Sequence, residues 1–453
     1  MRKLGVYFLL GSVVCALPVL AQEPAKETET KAAEEPAAQP AAQPTDWWHW
    51  DKMTGDWGGA RKELADKGIT FGLDITQIFQ NNAHGGASTN NGSRYSMSAD
   101  LTLRLDLEKM GLWKGGGITL IAEPKAGNGV NGKVGSLLPV NFDAVKNSTD
   151  ECEMTLSEWY ITQVLLDGKL FLIAGKLWGA SAFERNLFAN DERTQFMNIG
   201  LRNNPLIAPF LPYTNLGVGA VYSPTDWLTG MVAVADTEGK ASTTGFNTTF
   251  HGPTHTSIIH EWDVKIKPFG KPGTQRVGFV WSSKEFPELQ PVSPFRQTGP
   301  LMMQLLGPSL FQKVGALLPR DNKPDNVMIY YNFDQYLYTE AEDPTQGIGV
   351  FGRFGWARQD VNPAAHFYSF GVGGKGILPE RDNDTFGIGY YYLDLSNDLP
   401  AMFHSEQGVE CYYNVQITPW LHVTPDIQVI ANPGGTDAHD CALVWGIRVQ
   451  MNL

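Results

Sequence analysis

Past its N-terminus the chain contains no run of about 18 apolar residues, which excludes transmembrane helices. Cysteine is scarce, four in 453 residues with no CxxC, so the sequence sets up neither a disulfide framework nor a thiolate metal site. Basic charge falls short of acidic, 35 Lys and Arg against 48 Asp and Glu, for a formal net charge of −13. No basic face is available to neutralise phosphates, and nucleic acid is excluded as a partner. The nine histidines are scattered without an HExxH, and no P-loop, dinucleotide fingerprint or nucleophile elbow is present. No catalytic residues, metal or cofactor are expected, and the chain is not read as an enzyme.

What is present begins with a secretory signal over residues 1–21. Arg2 and Lys3 precede an apolar core from Leu4 to Leu20, and Val19-Leu20-Ala21 forms a small-residue cleavage site before Gln22. The core is too short for a membrane anchor. Its removal leaves Cys152, Cys411 and Cys441, among which one bridge is open in an oxidising compartment. Residues 22–45, rich in Ala, Pro, Glu, Lys and Gln, bury too little apolar surface to offset ordering entropy and read as a disordered spacer. Residues 46–68 form an aromatic and helical segment. Trp47, Trp48, Trp50 and Trp57 crowd together, either as local packing or as an interfacial anchor. Asp56 caps a short helix running through Arg61 and Leu64 to Gly68.

From 69 to 453 the pattern is strand after strand. In residues 95–107, Tyr95, Met97, Ala99, Leu101, Leu103, Leu105 and Leu107 alternate without a fault with polar residues. The same two-residue period recurs at Phe386–Tyr392, Leu421–Val429 and Leu443–Leu453. Sixteen candidate strands follow, at 70–80, 94–107, 117–126, 153–166, 169–177, 216–223, 227–236, 257–268, 274–283, 327–339, 347–358, 366–375, 383–394, 406–418, 420–431 and 441–452. Tight turns alternate with long loops, as in a barrel with one periplasmic and one extracellular rim. The fold class is therefore all-β, a transmembrane antiparallel β-barrel with a short N-terminal helix and a constriction loop. Sixteen strands leave room for an aqueous channel. Aromatics at Tyr330, Tyr331, Phe333, Tyr336, Tyr338, Tyr390 to Tyr392, Tyr412, Tyr413, Trp420 and Trp445 are read as headgroup girdles.

Three stretches resemble the carbohydrate-selective porins of the OprB type. They are MTGDWGGARKELADKGI at 53–69, ERNLFANDERTQFMN at 184–198 after the GKLWG of 175–179, and the run from HFYSFGVGGKGILPERDNDTFGIGYYYLDLS at 366–396 to YYNVQITPWLHVTPDIQVIANPGG at 412–435. The resemblance implies an outer-membrane barrel that passes glucose-type sugars into the periplasm of a Gram-negative bacterium. The proline-rich spacer and the terminal Leu453, where many outer-membrane proteins carry Phe, depart from the pattern.

A sugar crossing a narrow pore exchanges hydrogen bonds with water for bonds to the wall, and these must be weak and spread over several sites. The loop 178–215 is expected to fold into the lumen and supplies Trp178, Phe183, Glu184, Arg185, Asn190, Asp191, Arg193 and Gln195, with helical spacing over Glu184–Met197. Strand parity adds Arg104, Glu123, Glu158 and Arg353 to the lining. Expected partners are small carbohydrates, outer-membrane lipid and the outer-membrane assembly machinery, with the barrel a homotrimer or a monomer. The alternatives are a general nonselective porin and a β-rich glycosidase using Glu184 and Asp191 as acid and base.

Overall fold

Each of the sixteen two-residue patterns forms a strand. The computed structural model describes residues 46–146, 152–240, 243, 245–252, 254–291 and 320–453. The expected signal peptide at 1–21 and spacer at 22–45 lie outside the described residues. The barrel strands are β1 (Ile69–His84), β2 (Ser93–Asp106), β3 (Gly116–Gly127), β4 (Cys152–Leu165), β5 (Leu170–Leu177), β6 (Asn215–Thr225), β7 (Leu228–Asp236) and β8 (Thr256–Ile266). They continue with β9 (Gly273–Ser282), β10 (Asn326–Thr339), β11 (Gly347–Ala357), β12 (Ala364–Lys375), β13 (Thr385–Leu395), β14 (Ser405–Thr418), β15 (Leu421–Ala431) and β16 (Ala442–Asn452). Every strand pairs antiparallel with its neighbours in sequence. β16 closes the sheet on β1, from Asp74 opposite Asn452 to His84 opposite Leu443. Closure removes every edge, the condition for a sheet to stand in lipid with its main-chain groups satisfied.

Alternation assigns the faces. Leu101, Phe279, Ile329, Phe370, Ile388, Ile427 and Ile447 are exposed on the outer wall, where acyl chains cover them. The polar set between them points inward. Parity also corrects the aromatic girdle. Tyr330, Tyr391 and Tyr412 are buried inside the barrel, on the same face as Asn332, Leu393 and Glu410. Tyr331, Phe333, Tyr390 and Tyr392 occupy the alternate positions, paired outward with Phe354, Gly352, Phe370 and Tyr368.

At the rim of short turns, residues 46–68 pack against the barrel end. Trp57–Gly59 make one 3-10 turn and lead into α1 (Ala60–Asp66), with Asp56 Oδ1 accepting the Lys62 N–H. Gly68 ends the segment at φ 87°, a conformation in which a Cβ would meet the Asp106 carbonyl at 2.5 Å. The tryptophan cluster packs on the barrel end: Trp47 lies 4.4 Å from Trp420, whose indole N–H donates to the Trp47 carbonyl. Met53 N–H donates to the carbonyl of Asn452, tying the segment to the last strand. Cys152, Cys411 and Cys441 all remain free thiols, so the bridge left open by the sequence is not formed.

Ile427 lies midway along β15 on the lipid face. Ile427→Arg is expected to lower folding stability by about 2–4 kcal/mol, as a charge near the bilayer midplane does. Denaturant titration of the barrel refolded in lipid vesicles measures it.

Candidate functional site

Between β5 and β6 the chain enters the barrel. Residues 178–214 lie against the inner wall of β8 to β16, which is shaped to receive them. The inward positions of β12 and β13 are glycines where the bulkiest loop side chains arrive. A Cβ on Gly373 would stand 2.8 Å from Phe188, on Gly387 2.6 Å from Phe196, and on Gly389 2.7 Å from Leu201. Phe188, Phe196, Leu201, Leu206 and Phe210 then bury against Tyr330, Phe351, Phe367 and Tyr391, a hydrophobic core inside the barrel. One side of the barrel interior is thus filled by an apolar core between loop and wall, where the inward positions were expected to be polar.

Charged wall residues fix the loop by its main chain. Glu410 accepts the N–H groups of Met197 at 2.6 Å and Asn198 at 2.9 Å. Glu261 accepts the N–H of Glu184 at 2.8 Å and the Tyr330 hydroxyl at 2.6 Å. Arg448 donates to the carbonyls of Glu192 and Gln195. Arg353 donates to those of Leu201, Arg202 and Ala189, and pairs at 2.7 Å with Glu184. Glu184 holds a left-handed backbone at φ 59°, a strained conformation for a non-glycine residue. Its carboxylate accepts the Asn204 N–H from across the loop. These bonds occupy the main-chain groups that a helix over Glu184–Met197 would need. The segment consequently forms turns, and the nearest helix is the single turn Ile199–Arg202.

A second loop enters as well. In residues 128–146, Val130, Val134, Leu138 and Val140 are buried, and Glu406 accepts the N–H groups of Leu137 and Leu138. Phe142 N–H donates to the Met197 carbonyl, so the two loops brace one another. Asp143 accepts the Ser98 hydroxyl at 2.7 and 2.8 Å. Burial pushes the Asp143 carboxyl up to about 6, against the opposing pull of Lys125 and Ser98.

The free edge of the loop faces β1 to β3, where Asp74, Asp100, Thr102, Arg104 and Glu123 keep exposed surface. This is the open part of the lumen. Arg193 reaches across it to Asp100 and also pairs with Asp191 at 3.1 Å. Burial alone would raise the Asp191 carboxyl, but Arg193 and the donors of Thr194 hold it well below the usual carboxylate range. Tyr213 donates its hydroxyl to Glu123. Arg202 lies 4.0 Å over the Trp178 ring and pairs with Glu192.

The residues expected from the sequence divide in two. Trp178, Asp191, Arg193, Arg104 and Glu123 border the open lumen. Phe183, Glu184 and Arg353 are buried behind the loop and have no surface to offer a solute. Glu158, also buried, accepts the Trp178 N–H at 3.1 Å. Asn190 and Gln195 hold the turn through the bond of Asn190 N–H to Gln195 Oε1. Arg185 is half-buried beside Arg276, Asp263 and Glu261, and burial lowers its guanidinium from the ordinary value. The glycosidase pair is unsupported: Glu184 is consumed by Arg353, and Asp191 by Arg193. Asp74, Arg202, Tyr213 and the second loop were not foreseen. The inward parity of β1 pointed to Asp74, and the valines of 128–146, unusual in a solvated loop, pointed to burial.

A family model described as carbohydrate-selective porin, OprB family, matches residues 90–453. Porin B of Pseudomonas aeruginosa is 24% identical to the chain, over 88% of this chain and 90% of the relative. The putative porin QuiX of Acinetobacter baylyi is 22% identical, over 90% and 94%. Among solved structures, the high-pH form of Pseudomonas putida OprB superposes with a TM-score of 0.78 at 22% identity, covering 89% of this chain and 99% of that one.

Arg353→Ala leaves Glu184 buried without its partner and should destabilise the barrel by about 3–5 kcal/mol. Single-channel recording should show added current noise from the loosened loop, and Arg353→Lys, which lacks the planar fork, should restore little. For Asp143 the folded value lies above the unfolded 3.8. Its contribution to stability is therefore full below about 3.8 and lost as pH rises through about 6. Amide exchange in 128–146, corrected for intrinsic rates, is expected to be faster at about pH 7.5 than at about pH 5, and Asp143→Asn should flatten the difference.

Proposed function

The chain belongs to the carbohydrate-selective porin family, OprB, and we propose that sugars pass it through the aperture between loop 178–214 and the wall of β1 to β3. It is an outer-membrane β-barrel channel of a Gram-negative bacterium that lets small carbohydrates into the periplasm, a channel rather than an enzyme. In the proposed path Arg193 and Lys125 present donors, and Asp100, Glu123 and the Tyr213 hydroxyl oxygen present acceptors, so that successive hydroxyls exchange water for protein partners. Trp178 stiffens the loop edge under Arg202. Phe183, Glu184, Arg185, Asn190, Gln195, Glu158 and Arg353 set the loop's position, and no bond of the solute is made or broken. The observation that carries this reading is the Arg193–Asp100 contact, which joins the loop to the far wall and divides the lumen.

Two partner assignments accompany the proposal. The outer faces of β5 to β7 carry Leu172, Ala174, Val218, Ala220, Val232 and Val234, whereas those of β8 to β14 carry most of the aromatics. Small residues favour close packing of protein on protein and aromatics favour the headgroup layer, which supports a homotrimer meeting at β5 to β7. The alternating end of β16, from Leu443 to Leu453, is the segment offered to the assembly machinery.

Liposomes containing the purified protein should swell faster with glucose than with amino acids of matched size, and flux should saturate with concentration. Swelling that tracks size alone would remove the sugar selectivity. Arg193→Ala should raise conductance and weaken saturation; unaltered sugar permeation would detach this residue from the path.

A further inference from the structure

We propose that residues 46–61 are a clasp that takes over the end of β16 once the barrel has closed, and that its docking releases the chain from the assembly machinery. The proposal rests on the reading of β16 as the segment offered to that machinery.

The seam between β1 and β16 is staggered at the rim of short turns. The last pair is Asp74 with Asn452, and Ile69–Leu73 run on past it against β2. A strand end at such a step presents main-chain groups that a foreign strand can pair with. Here those groups are taken from within the chain. Asn452 N–H donates to the Trp420 carbonyl at 2.9 Å, and Leu453 N–H to the Leu73 carbonyl at 2.8 Å. The carbonyls of the same two residues are met by the clasp. Met53 N–H donates to Asn452 at 2.9 Å, and Arg61 Nη1 donates to Leu453 at 3.4 Å.

The donors are held in place by the segment itself. The Trp47 carbonyl accepts the Trp420 indole N–H at 3.2 Å, and the Trp47 indole N–H donates to the Met53 carbonyl at 3.0 Å. Arg61 is aimed by the Thr54 hydroxyl, which accepts Nη2 at 3.0 Å, and by the Trp57 ring, 4.2 Å from its guanidinium. Gly55 turns the chain at φ 65°, under a Trp50 ring that a Cβ would approach to 2.9 Å. None of these contacts involves loop 178–214 or the aperture.

Sequence separation orders the events. Arg61 and Leu453 are 392 residues apart, and Leu453 is positioned by Leu73 of β1. The clasp therefore finds its target only after β16 has met β1. From then on residues 62–68 alone tether it to the seam, so docking is intramolecular at high effective concentration. A protein that holds the end of β16 by its main chain competes with the clasp for the same acceptors, and barrel closure tips that competition.

Arg61→Ala and Trp47→Ala in the full chain test this, with Lys62→Ala on the same segment as control. Pulse-labelled chain that co-purifies with the assembly machinery measures release, and glucose swelling of liposomes confirms a working barrel. The first two variants should stay with the machinery at least about fivefold longer, the weight of one net hydrogen bond in such a competition. Arg61→Lys, which keeps a donor, should restore most of the release rate, and Lys62→Ala should leave on time. Release at the wild-type rate by both clasp variants would overturn the proposal, including the case in which they only unfold faster in vesicles. A chain with Met451→Ser and Leu453→Ser that still engages the machinery as wild type would overturn the reading of β16 instead.

Discussion

A charge buried in a barrel wall has to find a partner, and in this chain the partner is the main chain of a loop. Glu261, Arg353, Glu410 and Arg448 sit on strands with almost no exposed surface. Left alone, each would bear a desolvation penalty of several kcal/mol. Each is instead hydrogen-bonded to a peptide N–H or carbonyl of residues 178–214. The dependence runs both ways. The loop has little regular structure of its own, and its peptide groups, buried away from water, find acceptors and donors on the wall. Wall and loop are a single polar network laid over an apolar core of Phe188, Phe196, Leu201 and Phe210. An aperture of defined width follows, because an edge fixed at many points has one position.

The barrel was legible because its signal is periodic and local. Faultless alternation over 95–107 fixes both the strand and its faces, and sixteen such stretches place every strand within a few residues of its observed bounds. The entry of 178–214 into the lumen was expected from its length and from the family resemblance. The division of labour within it was not. Glu184, Arg353 and Arg193 are alike as charged residues in a string of letters. Only the fold shows that the first two meet behind the loop while the third crosses the lumen. Parity places a residue inside the barrel but carries no information on what else is inside, so Tyr330 and Tyr391 were assigned to the girdle. A usable signal did exist in the alternate glycines of FGVGG and FGIGY in β12 and β13, which mark inward positions kept empty for another part of the chain.

The filled and open halves of the lumen explain the uneven use of charge. On β8 to β16 Glu261, Arg353, Glu410 and Arg448 are bonded to the loop, and Arg276 pairs with Asp334 on the wall. On β1 to β3 Asp74, Asp100 and Glu123 face the open space, with Arg104 and Lys125 on the same wall and Arg193 reaching in from the loop. A barrel that only had to hold water would gain stability from neutral polar residues there, as at Thr76 and Thr102. Retaining Asp74 opposite Asp100 sets repulsion against sheet stability, and such conflicts between local preference and fold concentrate where a site is used.

This arrangement also bears on how the aperture releases its solute. A binding wall made of free guanidinium groups would hold a sugar through strong charge-assisted bonds and slow its exit. Here Arg193 and Arg202 already satisfy protein carboxylates. A passing hydroxyl must therefore share a partner that has somewhere else to bond, which lowers the free-energy gain of contact and of departure alike. Weak, exchangeable contacts at a fixed aperture are what conduction requires. In this chain they follow from pairing the cations before the solute arrives.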